Sequence, residues 1–164
     1  MKRLAVLAVL ALAPAAASGE RAPVAGEWLT PAERMDYQAT PSYDETIAFL
    51  RRLEGRLPEM KLEFYGTSAA GRPLPLVILS AEQAFTPEAA QALSKPVVMI
   101  QNGIHGGEID GKDATLLLLR DVALGGRRDL LGAATLLILP VYNVDGHERV
   151  SPFNRPNQNG PELG

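Results

Sequence analysis

The chain has 164 residues, of which 46% are hydrophobic and 21% are charged, a composition typical of one soluble globular domain. Sixteen basic and nineteen acidic residues give a net charge of −3, which excludes the strongly basic surface of a nucleic-acid-binding protein. The absence of cysteine excludes disulfides, thiolate zinc sites and cysteine nucleophiles. The sequence has two histidines, His105 and His147, so a metal site here depends on histidine and carboxylate side chains.

The N-terminus has the pattern of an export signal. Lys2 and Arg3 precede an apolar run over residues 4–13, and the alanines up to Ala17 fit a cleavage site. We expect residues 1–17 to be a signal peptide, which makes the mature protein periplasmic or extracellular without a membrane anchor. The apolar run is shorter than the roughly twenty residues that cross a bilayer, so a retained transmembrane helix is the weaker alternative.

The first predicted helix follows a lead-in. Residues 18–40 show no lasting helical or strand periodicity and are interpreted as an N-terminal lead-in. Ser42 and Glu45 have the spacing of a capping box, and apolar residues follow at helical intervals. This pattern predicts a helix over 43–53.

A hairpin and a short helix are predicted next. Strand-like runs at 61–65 and 74–80 flank a segment with two glycines that suits a turn. Thr86 and Pro87 then form a typical helix start, and the helix is expected to end near Leu93.

The second half of the chain alternates between strands and a helix. The apolar run 97–101 predicts a strand buried on both faces, residues 109–122 predict a helix, and 135–141 predict another buried strand. This order is typical of an α/β fold with a mixed, largely parallel sheet flanked by helices and joined by a right-handed crossover.

His105 and Glu108 follow the predicted strand 97–101 and are three residues apart. Ligands of open α/β sheets bind at the carboxyl ends of the strands, and the neighbouring glycines allow a tight loop there. Imidazole nitrogens and carboxylate oxygens are ordinary zinc ligands, and a catalytic zinc takes three protein ligands with one position left for water. The pair therefore provides two candidate metal ligands.

Four successive segments have residues and spacing found together in one known family. They are the helix beginning at Ser42, the hairpin sequence Tyr65-Gly66-Thr67-Ser68-Ala69-Ala70-Gly71-Arg72-Pro73-Leu74, the strand from Pro96 to Glu108 ending in His-x-x-Glu, and the strand from Leu136 to Gly146. Over about residues 40 to 160 they resemble the zinc carboxypeptidases, the carboxypeptidase A, B and D-like peptidases.

The resemblance implies a hydrolase that binds one Zn²⁺ through His105 and Glu108 and cleaves C-terminal amide bonds of a peptide or protein substrate by metal-activated water. It also implies that the third histidine ligand, the oxyanion arginine, the substrate-binding residues and the general-base glutamate come after Gly164. Residues 41–164 are then the N-terminal part of a catalytic domain. We expect this part to be inactive and, if expressed alone, poorly folded or prone to aggregation.

Three positions differ from the family pattern. Gly107 stands where some carboxypeptidases have a substrate-binding arginine, Val144 replaces a proline, and His147 stands where an aromatic residue is common. His147 and Glu148 are expected in a solvated loop, and Arg155 is expected on the surface. These departures put the C-terminal-residue preference in doubt, while the metal pair is intact.

Some features of the sequence are also found in proteins with other functions. A zinc-dependent deacylase or amidase of the same family and a non-catalytic secreted binding protein on the same fold remain open. Residues 106–113 nearly match a phosphate-binding loop, but Asp113 stands where a hydroxyl is required, and Glu108 and Asp110 would place negative charge in the phosphate cradle. A serine hydrolase is excluded by the lack of a Gly-x-Ser-x-Gly motif.

Overall fold

The computed structural model describes residues 25–151. The predicted signal peptide at 1–17, the lead-in up to residue 24, and the segment after Ser151, which includes Arg155, lie outside the described residues. Within residues 25–151, no helix is long and apolar enough to cross a membrane.

The helix predicted over 43–53 is confirmed as α2 (Tyr43–Glu54). Its capping box is formed in both directions: Ser42 N donates to Glu45 Oε2 at 2.9 Å, and Glu45 N donates to Ser42 Oγ at 3.3 Å. The bond from Ser42 N, together with one from the Ser42 hydroxyl to Glu45 Oε2 at 2.9 Å, lowers the pKa of Glu45. The lead-in contains two short helical turns that a periodicity search misses. The N-terminal elements are a 3₁₀-helix (Gly26–Trp28), α1 (Pro31–Arg34) and α2 (Tyr43–Glu54).

The predicted hairpin and the short helix after it are both confirmed. The two strands run antiparallel, with Met60 opposite Leu79 and Thr67 opposite Pro73, and the register shifts between Phe64 and Thr67. The Thr86 side chain accepts a hydrogen bond from Ala89 N and caps the short helix. The elements are β1 (Met60–Thr67), β2 (Pro73–Leu79) and α3 (Pro87–Ala92).

The rest of the described chain forms a strand–helix–strand unit with a short final helix. The elements are β3 (Val97–Gln101), α4 (Asp110–Leu124), a 3₁₀-helix (Arg127–Gly132), β4 (Thr135–Leu139) and α5 (Val144–His147). The strand order is β1-β2-β4-β3, in which β3 and β4 are parallel and the other two pairings are antiparallel. The mixed α/β sheet flanked by helices is thus confirmed, with one of its three pairings parallel.

The core lies between one face of this sheet and helices α2 and α4. Leu50 and Leu53 of α2 and Leu116 and Leu119 of α4 are fully buried against the sheet, together with Ile138 of β4. Burial of each such side chain stabilises the fold by about 1.5–3 kcal/mol relative to exposure. This packing fixes α4, and with it the loop that precedes α4, on the sheet.

The prediction that β3 is buried on both faces is wrong for the described residues. Val97, Val98 and Met99 are 49%, 42% and 60% exposed. The reason is topological, because in the part of the chain that the structure describes β3 lies at the edge of the sheet and pairs with β4 alone. A continuous apolar run indicates a strand, but its burial depends on neighbours that the run itself does not specify.

Candidate metal centre

His105 and Glu108 lie in the loop between β3 and α4, and the fold brings their side chains together. His105 Nδ1 is 2.8 Å from Glu108 Oε1. The His105 backbone N–H also donates to Glu108 Oε2 at 3.3 Å, and the Glu108 N–H donates to the His105 carbonyl at 3.0 Å. Both side chains are accessible, with 59% and 42% of their surface exposed.

Backbone hydrogen bonds hold the start of this loop against the segment that follows β4. Asn102 N donates to the Leu139 carbonyl at 3.0 Å, and Tyr142 N donates to the Asn102 carbonyl at 2.8 Å. Asn143 N then donates to the Gly103 carbonyl at 2.9 Å, and Gly103 has a φ of +59°, which favours glycine. The β3–β4 pairing therefore continues past the strands and places the loop at the carboxyl end of the sheet.

The middle of the loop requires a residue without a side chain. A Cβ on Gly106 would lie 2.4 Å from the Gly146 carbonyl oxygen and 3.0 Å from the His147 backbone nitrogen. Gly106 therefore permits direct contact between the loop and α5.

Two motifs of the family resemblance meet at α5. The Asp145 carboxylate accepts hydrogen bonds from Ser68 Oγ at 2.9 Å, Ala70 N at 3.0 Å and the Arg72 guanidinium at 2.9 Å. Desolvation raises the pKa of Asp145, but these hydrogen bonds outweigh it and hold the pKa below its usual value. Asp145 thus ties the turn of the β1–β2 hairpin to α5. The sequence contained both motifs but gave no sign that they contact each other.

The prediction that His147 and Glu148 lie in a solvated loop is wrong. His147 is 8% exposed, and its Nε2 lies 3.1 Å from Lys112 Nζ. Glu148 Oε1 accepts a hydrogen bond from Tyr43 N at 2.8 Å, at the first turn of α2. The sequence resembled a turn, but the Asn143 side chain accepts from Gly146 N at 2.9 Å and caps a helix.

Lys112 is a buried ammonium group in the first turn of α4, which follows the loop that carries His105 and Glu108. Its Nζ donates to the Pro41 carbonyl and lies 3.6 Å from Asp113 Oδ1. Burial lowers the pKa of Lys112 to about 8 against the opposing effect of Asp113, and burial also lowers the pKa of His147, with the Lys112 charge acting in the same direction. Lys112 therefore points into the protein and away from any phosphate-binding position. Sequence analysis missed it, although it continues the buried stripe of Leu116 and Leu119 on α4.

The donor set of the loop fits part of a zinc site. Within residues 25–151, no group of three or more His, Cys, Asp and Glu side chains is placed to hold a metal ion. The pair of His105 and Glu108 supplies one nitrogen and one carboxylate donor at a single point, which matches two of the three protein ligands of a catalytic zinc.

Comparison with known proteins decides the family. Residues 46–163 match the family model described as zinc carboxypeptidase. The chain belongs to the zinc carboxypeptidase family. This confirms the resemblance noted from the sequence.

Individual relatives agree with this assignment. Carboxypeptidase 2 of Trichophyton rubrum is 35% identical over 115 residues, which are 68% of this chain and 21% of that protein. Mouse carboxypeptidase D is 33% identical over 98 residues, or 51% of this chain and 7% of that protein. The crystal structure of carboxypeptidase A from Helicoverpa armigera superimposes with a TM-score of 0.57 at 30% identity, over 68% of this chain and 26% of that one. The chain therefore spans about a fifth of the Trichophyton relative.

Proposed function

We propose that the protein is a zinc-dependent hydrolase of the metallocarboxypeptidase type that cleaves C-terminal amide bonds of peptides, with His105 and Glu108 as two ligands of one zinc ion. One observation carries the proposal. In a member of the zinc carboxypeptidase family, His105 Nδ1 and Glu108 Oε1 lie 2.8 Å apart on an accessible loop at the carboxyl end of the sheet.

The chain's own residues have defined tasks in this function. A bound zinc ion would polarise the scissile carbonyl and lower the pKa of a water molecule to about 7. For His105 Nδ1 to act as a ligand, its lone pair has to be free, so the imidazole proton resides on Nε2. Glu108 adds a negative charge that partly neutralises the cation. The glycines at 103, 106 and 107 keep side chains away from the pair and leave room for a substrate.

The remaining machinery is proposed to lie outside residues 1–164. We place the third histidine ligand, the oxyanion arginine and the general-base glutamate in sequence after Gly164. The coverage of 21% of the Trichophyton relative supports this placement. The export pattern in residues 1–17 supports a periplasmic or extracellular location.

The test measures zinc binding in the complete protein. His105→Ala and Glu108→Gln are each expected to lose most of the bound zinc during dialysis, because loss of supporting contacts alone weakens metal affinity about 10–100-fold and loss of a ligand should weaken it more. Zinc content by mass spectrometry and hydrolysis of peptides with free or amidated C-termini are the measurements. Glu88→Gln is the matched control, because it replaces an exposed carboxylate in the first turn of α3 with the same amide group.

The outcomes separate the alternatives. Retention of wild-type zinc content by both ligand variants would refute the assignment of His105 and Glu108. Zinc loss in the variants, together with a wild type that hydrolyses acylated or amidated compounds but no free C-terminus, would indicate the deacylase or amidase. Zinc binding without any hydrolysis would indicate a binding protein.

A further inference from the structure

Gly106, the first of the two residues between the proposed ligands, packs against α5. Gly106 lies so close to α5 that a Cβ there would be 2.4 Å from the Gly146 carbonyl oxygen. The same Cβ would lie 3.0 Å from the His147 backbone nitrogen. Burial lowers the pKa of the His147 imidazole, and the Gly106 backbone lies near enough to the ring to oppose that shift. The position of the loop's midpoint is therefore linked to the position of the His147 ring.

The opposite edge of the His147 ring faces the buried ammonium group. His147 Nε2 lies 3.1 Å from Lys112 Nζ and 3.0 Å from the Pro41 carbonyl, to which Lys112 also donates. An ammonium group can only donate and a carbonyl can only accept, so Nε2 serves one of these two neighbours in each neutral tautomer. With the proton on Nδ1, Nε2 accepts from Lys112; with the proton on Nε2, it donates to the Pro41 carbonyl. In both tautomers this edge of the ring is bonded to Lys112 or to the carbonyl that Lys112 also contacts.

Lys112 is itself fixed in the fold. It is 1% exposed and lies in the first turn of α4, four residues after Glu108. Its charge is balanced by Asp113, whose carboxylate accepts hydrogen bonds from Thr40 Oγ1 at 3.1 and 3.0 Å. The ammonium group is thus attached to the helix that continues from the metal-ligand loop, and it is anchored to the segment that precedes α2.

We propose that His147 is a positioning residue for the metal centre. It connects the backbone of Gly106, between His105 and Glu108, to Lys112 at the start of α4. The loop is thereby fixed at its midpoint and just beyond its end, so the two ligand side chains are held together before a metal binds. This inference rests on the proposed function, because it takes His105 and Glu108 as the zinc ligands.

Two conservative substitutions test the two edges of the ring separately. The amide of Asn occupies the place of the histidine Nδ1, and the longer Gln places its amide near Nε2. His147→Asn should keep the interaction with the Gly106 backbone, whereas His147→Gln should keep the contact with Lys112 and lose the one to the loop. We expect the zinc dissociation constant of the complete protein to rise about 10–100-fold in His147→Gln and much less in His147→Asn.

A further variant and a stability control complete the experiment. Lys112→Met removes the ammonium group and fills the same space with an apolar side chain. It should also weaken zinc binding, because it removes the contacts of Lys112 with His147 and the Pro41 carbonyl. Leu131→Ala creates a cavity in the 3₁₀-helix that follows α4. The 15 residues of α4 give it a length of about 22 Å, so the end of α4 from which this 3₁₀-helix continues lies far from the loop. Leu131→Ala should lower the melting temperature of the apo-protein and leave the zinc dissociation constant unchanged.

Zinc affinity by chelator competition and the apo-protein melting temperature are measured for every variant. The proposal is overturned if the folded His147 and Lys112 variants lose stability as Leu131→Ala does but bind zinc with wild-type affinity. It is also overturned if His147→Asn and His147→Gln are equally affected. Full zinc retention in His105→Ala would instead show that the proposed metal site itself is wrong.

Discussion

The two histidines of the chain lie in opposite environments. His105 is exposed and faces the carboxylate of Glu108, whereas His147 is buried and faces the ammonium group of Lys112. The first environment suits a metal ligand, and the second suits a neutral ring that holds other groups in place. Residue type alone does not distinguish these roles.

The sequence predicted the environment of one histidine and missed that of the other. The contact between His105 and Glu108 was predictable because Glu108 and the glycines of the loop are close to His105 in sequence. The burial of His147 results from the docking of α2 and α4, which bring Pro41 and Lys112 to it from 106 and 35 residues away. Contacts between such distant segments leave no local pattern.

Asp145 provides a prediction at the scale of a single side chain. The folded state holds its pKa below the usual value of 3.8, so its hydrogen bonds stabilise the protein fully above about pH 4 and are lost as the pH falls through the folded-state pKa. Asp145→Asn should therefore lower the free energy of unfolding at pH 7, and the difference from wild type should shrink toward pH 2. Urea unfolding of the complete protein at several pH values measures it.

The matched control for this prediction is Asp129→Asn. Asp129 is an exposed acid whose contact with Arg127 spans 3.3 Å on the surface, and such pairs contribute little. A pH-independent deficit in Asp145→Asn, or an equal deficit in Asp129→Asn, would show that the link between hairpin and α5 does not depend on the charge of Asp145.

At the scale of elements, the strongest sequence signals were local ones. The capping box at Ser42 and the Thr86–Pro87 pair marked the starts of α2 and α3 because their partners are three residues away. The bounds of β3 were predicted correctly, but its burial was not. A strand's own residues determine its extended shape, whereas the sheet order determines which strand becomes the edge.

The exposed edge of β3 leads to a prediction for this chain expressed alone. Among residues 25–151, β3 has a partner strand on one side alone, so Met99 and its neighbours present apolar side chains beside a free strand edge, which favours edge-to-edge association. We expect the chain to aggregate during size-exclusion chromatography. Met99→Lys should reduce this aggregation, because charged side chains on edge strands oppose pairing.

Leu124→Lys is the matched control, since it adds the same charge at an exposed apolar residue of α4. Equal improvement by both substitutions would indicate an effect of net charge and not of the β3 edge. A soluble monomer of the wild-type chain with a cooperative melting transition would refute the prediction.

At the scale of the whole molecule, the fold serves to bring three chain segments to one end of the sheet. The hairpin turn, the loop after β3 and the segment after β4 meet there through Asp145, Gly106 and Asn102. Open α/β sheets bind their ligands at this end. The position of His105 and Glu108 at this end is therefore consistent with the metal site proposed for them.

The most direct test of the central claim is a crystal structure of the complete zinc-loaded protein with anomalous data collected at the zinc absorption edge. We predict one anomalous peak within about 2.0–2.2 Å of both His105 Nδ1 and a Glu108 carboxylate oxygen. A zinc peak held by other side chains, with His105 and Glu108 still hydrogen-bonded to each other, would contradict it.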